Sequence, residues 1–222
     1  ERTFRPMNMR SVDSNDLTTR ARIRNAAIEL IGTHGFERAS MRMIAQAAGV
    51  SPALVVHHFG DKDGLRAACN AHVSAMFTVE RVGANGAPSL DSIRAALNDW
   101  EANGPALNYL ARMLSDDDSR SVDELFDSLL QGTLQVVQDQ ERAGVIHPQS
   151  DPNVTALLLT GLGLASLVLS RHFARSLGAD ELTPTALARI TIPLLELFTH
   201  GFYKDDSILN ATKSAMENQE KK

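Results

Sequence analysis

Cysteine is nearly absent: the chain of 222 residues has one, Cys69, which excludes an internal disulfide and any zinc site built on several thiolates. A lone thiol of this kind reads as a small, partly buried apolar residue. Aromatics are scarce, at 5% with one Trp and two Tyr, while 43% of residues are hydrophobic and 22% charged. That is the composition of an ordinary globular protein, neither disordered nor collagenous. A long apolar run is also missing. The uncharged stretch Val154–Ser170 carries Thr155, Thr160, Gly161, Gly163 and Ser166, sits at the short end of what spans a bilayer, and reads as a buried helix; no membrane partner is expected. No basic leader with an apolar core opens the sequence, which together with the single cysteine predicts the cytoplasm. The seven histidines show no His-x-x-x-His pair, so neither a metal nor another cofactor is expected. Gly161-x-Gly163 is no dinucleotide fingerprint, since no strand precedes it. No nucleophile–base–orienter set is legible, and the chain does not read as an enzyme.

Charge is present, and it is uneven. Residues 1–66 hold ten Lys and Arg against seven Asp and Glu; residues 67–222 hold twelve against twenty. A basic front on an acidic body suits a nucleic-acid module joined to a domain with another task.

Along the chain the pattern is helical, and an all-α fold is expected. Residues 1–17 have no apolar period, carry Arg2, Arg5 and Arg10, and read as a mobile basic arm. From Thr19, the spacing of Ile23, Ala27 and Leu30 predicts a first helix over about Arg20–His34, ended by Gly35. Ser40 caps a second, Met41–Ala48, stopped by Gly49. Ser51 caps a third, with Pro52 at its first position, where a missing N–H costs nothing. Gly60 ends it, and Asp61 caps a fourth from Lys62. Further helices are predicted from Ser89 or Asp91 to Ala102, from Gly104-Pro105 to Leu114, over Ser121–Arg142, from Asp151-Pro152 to about Leu177, and from Thr183-Pro184 to about Phe202, with residues 204–222 left as a polar tail.

The densest constellation is residues 40–59: a short helix, the turn Gly49-Val50-Ser51, and a second short helix. Ile44, Ala48, Val50, Val55 and Phe59 are spaced to meet Leu30, Ile31 and Phe36 in a small core. Pro52, Ala53, Leu54, Val56 and His57 are left on the outward side, small and uncharged enough to enter the roughly 12 Å major groove, where apolar side chains read a thymine methyl. Ser40, Arg42, Ser51, Arg20, Arg22 and Lys62 flank that helix as donors to phosphate, Lys62 at a helix N-terminus that favours an anion.

Residues 19–72 resemble the N-terminal domain of the TetR family of bacterial transcriptional regulators. The matching positions are Ala27, Leu30, Ile31, Gly35, Phe36, Ser40, Arg42, Ile44, Ala45, Ala48, Gly49, Val50, Ser51, His58, Phe59, Lys62 and Leu65. Two positions depart: Ala53, where the family often has Gly, and Val56, where it often has Tyr with a hydroxyl on phosphate. Beyond this module the resemblance is architectural, apart from Glu141-Arg142-Ala143-Gly144 and Asp151-Pro152. It implies a helix-turn-helix domain over 18–66, a helical ligand-binding and dimerisation domain over 67–203, a double-stranded operator as partner, and a homodimer. The last two long helices would pair with their mates through Leu158, Gly161, Leu162, Ala165, Leu169, Ile192 and Leu195. An apolar or amphipathic effector would meet His72, Met76, Phe77, Trp100, Tyr109, Met113 and Phe126, although such a stripe is also what a core looks like. The resulting expectation is a ligand-responsive dimeric repressor on the nucleoid; the alternative is a nucleoid-associated or division-linked DNA-binding protein without an inducer.

Overall fold

The computed structural model describes residues 14–78, 103–116 and 119–220. Among them the ordered structure is entirely helical: α1 (Ser14–His34), α2 (Met41–Ala47), α3 (Pro52–Phe59), α4 (Lys62–Thr78), α5 (Gly104–Asp116), α6 (Arg120–Arg142), α7 (Pro152–Val168), α8 (Ser170–Ser176), α9 (Pro184–His200) and α10 (Ser207–Glu220). The chain forms two compact units, residues 1–170 and 171–222.

The boundaries follow the local chemistry. Ser40 accepts from Met43 N at α2, Ser51 from Leu54 N at α3, Asp151 from Asn153 N and Val154 N at α7, and Thr183 from Ala186 N at α9. Each satisfies backbone donors that the helix itself leaves free. Gly35, Gly49 and Gly60 take positive φ (84°, 64° and 78°) at the turns around the short helices, a conformation that costs glycine least.

Three expectations are corrected. The first helix begins at Ser14 rather than Arg20, because Ser14, Asn15 and Asp16 are residues that suit a helix start; the rest of the expected arm lies outside the described residues. The uncharged helix stops at Val168, with Leu169 as C-cap, and a separate seven-residue helix follows. The expected polar tail contains a further helix: Asp205 accepts from Ser207 N and opens α10. The helix expected over 89–102 lies outside the described residues.

In the first unit, α1 packs along α5, α4 against α1 and α6, and α7 against α5 and α6. Gly32 and Tyr109 mark the closest approach: a Cβ on Gly32 would stand 2.9 Å from Tyr109 N. The core is continuous. Ile23, Ile31, Ile44, Val55 and Phe59 around the short helices run through Leu65, Cys69 and Val73 to Tyr109, Met113 and Leu125 in the body. The border expected at residues 66/67 is therefore no break in packing. Burial pushes the Cys69 thiol up to about 12, against a smaller opposing pull from Arg24.

Candidate nucleic-acid interface

The surface built by α2, the turn and α3 begins with what is turned inward. Ile44, Ala45, Val55 and Phe59 are buried, with Phe36 and Val50 packed against them. Val55 and Phe59, one helical turn apart, use up the inner face of α3. Pro52, Ala53, Val56 and His57 are exposed and Leu54 is half-buried. Val56 is 51% exposed, so its methyls are open to whatever this face meets.

Around this uncharged face lie donors. The Ser40 and Ser51 oxygens accept from Met43 N and Leu54 N, each at 3.2 Å, which spends a lone pair and leaves the hydroxyl proton to donate outward. Arg42 is exposed, as are Arg20 and Arg22. The Arg20 guanidinium stacks over the Phe59 ring at 5.2 Å, while Arg22 lies on the wall of a cleft between α1, α4 and α5. Arg38 and Met43, outside the expected set, are both exposed beside Ser40; a basic residue two places before the cap is the signal the sequence holds for Arg38.

Lys62 sits differently from its expected anion seat. The Asp61 carboxylate accepts from Gly64 N at 2.8 Å and already occupies the N-terminus of α4. The Lys62 ammonium donates to the Glu37 carbonyl at 3.2 Å and lies 4.3 Å from the Phe36 ring, whose other cation is Arg66 at 4.2 Å. One of its three donors is thus engaged within the protein. His58 is half-buried, edge-on to His57 and Phe59.

The module is tied to the body through α4. At one-turn intervals, Arg66 donates to Ser119 Oγ at 3.1 Å, Asn70 to Ser121 O and Oγ at 2.9 Å each, and Ser74 Oγ accepts from Ser128 Oγ at 3.1 Å. Tyr109 donates to Asn70 Oδ1 at 2.6 Å from α5. This polar ladder joins the helix carrying the reading surface to α5 and α6.

Of the effector candidates, His72 and Met76 line the same cleft as Arg22. Tyr109 and Met113 are fully buried in the core, and Phe126 is half-buried. Phe77 belongs to α4 without a described side chain, and Trp100 lies outside the described residues. Of the pairing candidates, Leu158 and Leu162 on α7 are 68% and 45% exposed, and Leu169 at its C-cap is 45% exposed. Gly161 is also exposed, with open space where a Cβ would go, and Ala165 is half-buried. On α9, Ile192 and Leu195 are 59% and 53% exposed. Among the described residues no single helix is long and apolar enough to cross a membrane.

Comparison with known proteins agrees with this geometry. The family of bacterial regulatory proteins, tetR family, matches residues 23–69, and the tetracyclin repressor-like C-terminal domain matches residues 101–204. The HTH-type transcriptional regulatory protein RaaS of Mycobacterium tuberculosis is 34% identical over 200 residues, covering 89% of this chain and 93% of its own. The HTH-type transcriptional regulator UidR of Escherichia coli K12 is 45% identical over 47 residues, 21% of this chain and 24% of its own. The crystal structure of NalD, the secondary repressor of the MexAB-OprM multidrug efflux pump in Pseudomonas aeruginosa, shares the fold with a TM-score of 0.57 at 23% identity, over 87% of this chain and all of that one. With the capped helix-turn-helix, the helical body and a relative matched along nearly its whole length, the chain belongs to the TetR family of DNA-binding transcriptional regulators.

Proposed function

We propose that the chain is a homodimeric repressor that holds a palindromic operator with α3 and releases it when a small molecule binds. One observation carries the reading: α3 exposes only small or uncharged side chains, Pro52, Ala53, Val56 and His57, while hydroxyls and arginines stand around it. Base edges and thymine methyls would meet that face, and Ser40, Ser51, Arg38, Arg42 and Arg20 would hold phosphates. Val56 would touch a methyl where a tyrosine would have reached phosphate.

Pairing is supported within each unit. On α7 of the first, Leu158, Leu162 and Ala165 fall at i, i+4 and i+7, on the side opposite the buried Ala156 and Thr160, and the exposed C-cap Leu169 follows them. On α9 of the second, Ile192, Leu195 and Phe198 form another exposed apolar row. Such rows suit contact with a second copy. A dimer places its two reading helices one DNA turn apart, about 34–36 Å. A ligand that favours another setting of α4 against its polar ladder would lower operator occupancy by its difference in affinity for the two settings. The match to a tetracyclin repressor-like C-terminal domain supports a ligand-responsive repressor.

The test is a gel shift of the purified chain on DNA from upstream of its own gene, titrated with salt and with competitor DNA. A sequence-selective complex weakening steeply with salt is expected. Binding equal to that of random DNA would remove the reading.

A further inference from the structure

The corner where α1, α4 and the start of α5 meet encloses a cleft of about 410 Å³ that the reading surface does not use. We propose that this cleft is the effector site and takes a small amphipathic molecule with an acidic group at one end and a hydrogen-bond donor at the other; the proposal rests on the ligand-responsive reading above. Its volume lies within the range of small-molecule sites. Its walls come from both parts of the first unit. Arg22, Asn25 and Glu29 of α1 and Ala47 of α2 face His72 and Met76 of α4, with Asn103 and Pro105 at the entry to α5.

The ends of the cleft differ in charge. Arg22, Asn25 and Glu29 follow one face of α1, with the backbone positions of Arg22 and Glu29 seven residues, roughly 10 Å, apart along the axis. Asp63–Arg66, Arg120–Glu124 and Asp139–Arg142 form ion pairs among the described residues, and none of these three takes up Arg22 or Glu29. A carboxylate fits the planar fork of Arg22; an ammonium or hydroxyl fits Glu29. Between them Ala26, Ala47, Met76 and Pro105 supply apolar wall, with Met76 able to adapt its shape. Burial first, and Arg24 second, hold the His72 imidazole below its usual range. Near neutral pH it therefore adds a neutral donor and acceptor beside the Asn25 and Asn103 amides rather than a second cation.

The location gives such a ligand leverage. Ala47 is the last residue of α2, next to the turn that aims α3, while His72 and Met76 belong to the helix that carries the module. A molecule touching both is sensitive to their separation, and binding one separation better than another is what shifts a conformational equilibrium.

The test uses the full chain and a series of straight-chain ω-amino acids from 4-aminobutanoate to 10-aminodecanoate, with octanoate and octylamine as single-ended controls. Two-ended chains of intermediate length are expected to raise the melting temperature saturably and more than either control, and to loosen the operator complex in a gel shift. Arg22→Ala should weaken octanoate about tenfold and spare octylamine, and Glu29→Gln should do the reverse. Ala47→Trp, which fills the cleft from an exposed position, should abolish the response. The proposal is overturned if no member of the series raises the melting temperature, if the response survives both Ala47→Trp and Arg22→Ala, or if binding leaves operator affinity unchanged. A chain that binds operator and is released by another molecule but ignores the series sinks the cleft and spares the regulator. A chain that binds the series but no DNA sinks the regulator.

Discussion

Gly64→Ala tests how the reading helix is mounted. Gly64 lies in the first turn of α4 and is not among the positive-φ glycines, so the residue serves space rather than backbone conformation. A Cβ there would overlap the Phe59 carbonyl oxygen, well inside the 3.4 Å or so at which ordinary contact begins. The obstacle is backbone at the end of α3, not a side chain that can swing away. The end of α3 and the start of α4 must then part by a distance on the order of 1 Å, and forcing extra volume into a packed contact costs about 1–3 kcal/mol. Alanine returns at most about 1 kcal/mol through helix propensity, and less in a first turn. The net loss is about 1–2 kcal/mol, a fall in melting temperature of about 2–8 °C for a chain of this size. Because the displaced element is the reader, operator affinity should drop as well, with its salt dependence retained. Calorimetry and a gel shift on the same preparation measure both. Gly161→Ala is the control: its Cβ meets open space, and the single chain should gain about 0.5–1 kcal/mol. A Gly64→Ala protein as stable as the parent and equally tight on DNA would mean that the α3–α4 contact does not hold the reader in place.

Four further outcomes are expected. Ser51→Ala removes the cap of α3 and should cost about 1 kcal/mol, together with operator affinity beyond what the stability loss explains; binding isotherms under conditions where both proteins are fully folded decide it. Leu162→Arg puts a cation in the exposed row of α7 and should yield monomers by light scattering, whereas an undisturbed dimer would place the contact elsewhere. Cys69, buried and held up to about 12, stays protonated across the physiological range, so iodoacetamide should label the native chain at pH 8 far more slowly than the unfolded chain. His72 titrates below its ordinary value of 6.5 in the folded chain, so the unfolded chain binds more protons and the stability tied to neutral His72 is lost as pH falls through that value. His72→Gln should flatten part of the stability profile below about pH 6.5, which denaturation at several pH values would show.

The helix-turn-helix was legible because what makes it is local. Ser40 and Ser51 cap helices three residues ahead, Pro52 suits a first helical position, and Gly49 and Gly60 sit at turns that need positive φ. Val55 and Phe59, four apart, turn inward and leave Val56 and His57 outward by helical periodicity alone. The start of α1 and α10 carried signals of the same kind in Ser14-Asn15-Asp16 and Asp205-Asp206-Ser207, which were outweighed by the polar composition around them. The break at Leu169 had no such marker, since neither glycine nor proline stands there.

Contacts between residues far apart in sequence came from the folded chain alone. The exposed α7 row and the inward Ala156 and Thr160 share one uncharged helix, and which leucines face out depends on α5 and α6 packing against it. Lys62 is drawn to the Glu37 carbonyl, 25 residues away. Tyr109 and Met113 look like effector contacts in sequence and are core because α1 closes on α5 at Gly32. Arg22 reads as one more phosphate donor until His72 and Asn103 arrive opposite it. A helix's own spacing fixes which residues share a face, but the charge or cavity that face meets is set by whichever element the fold brings alongside it.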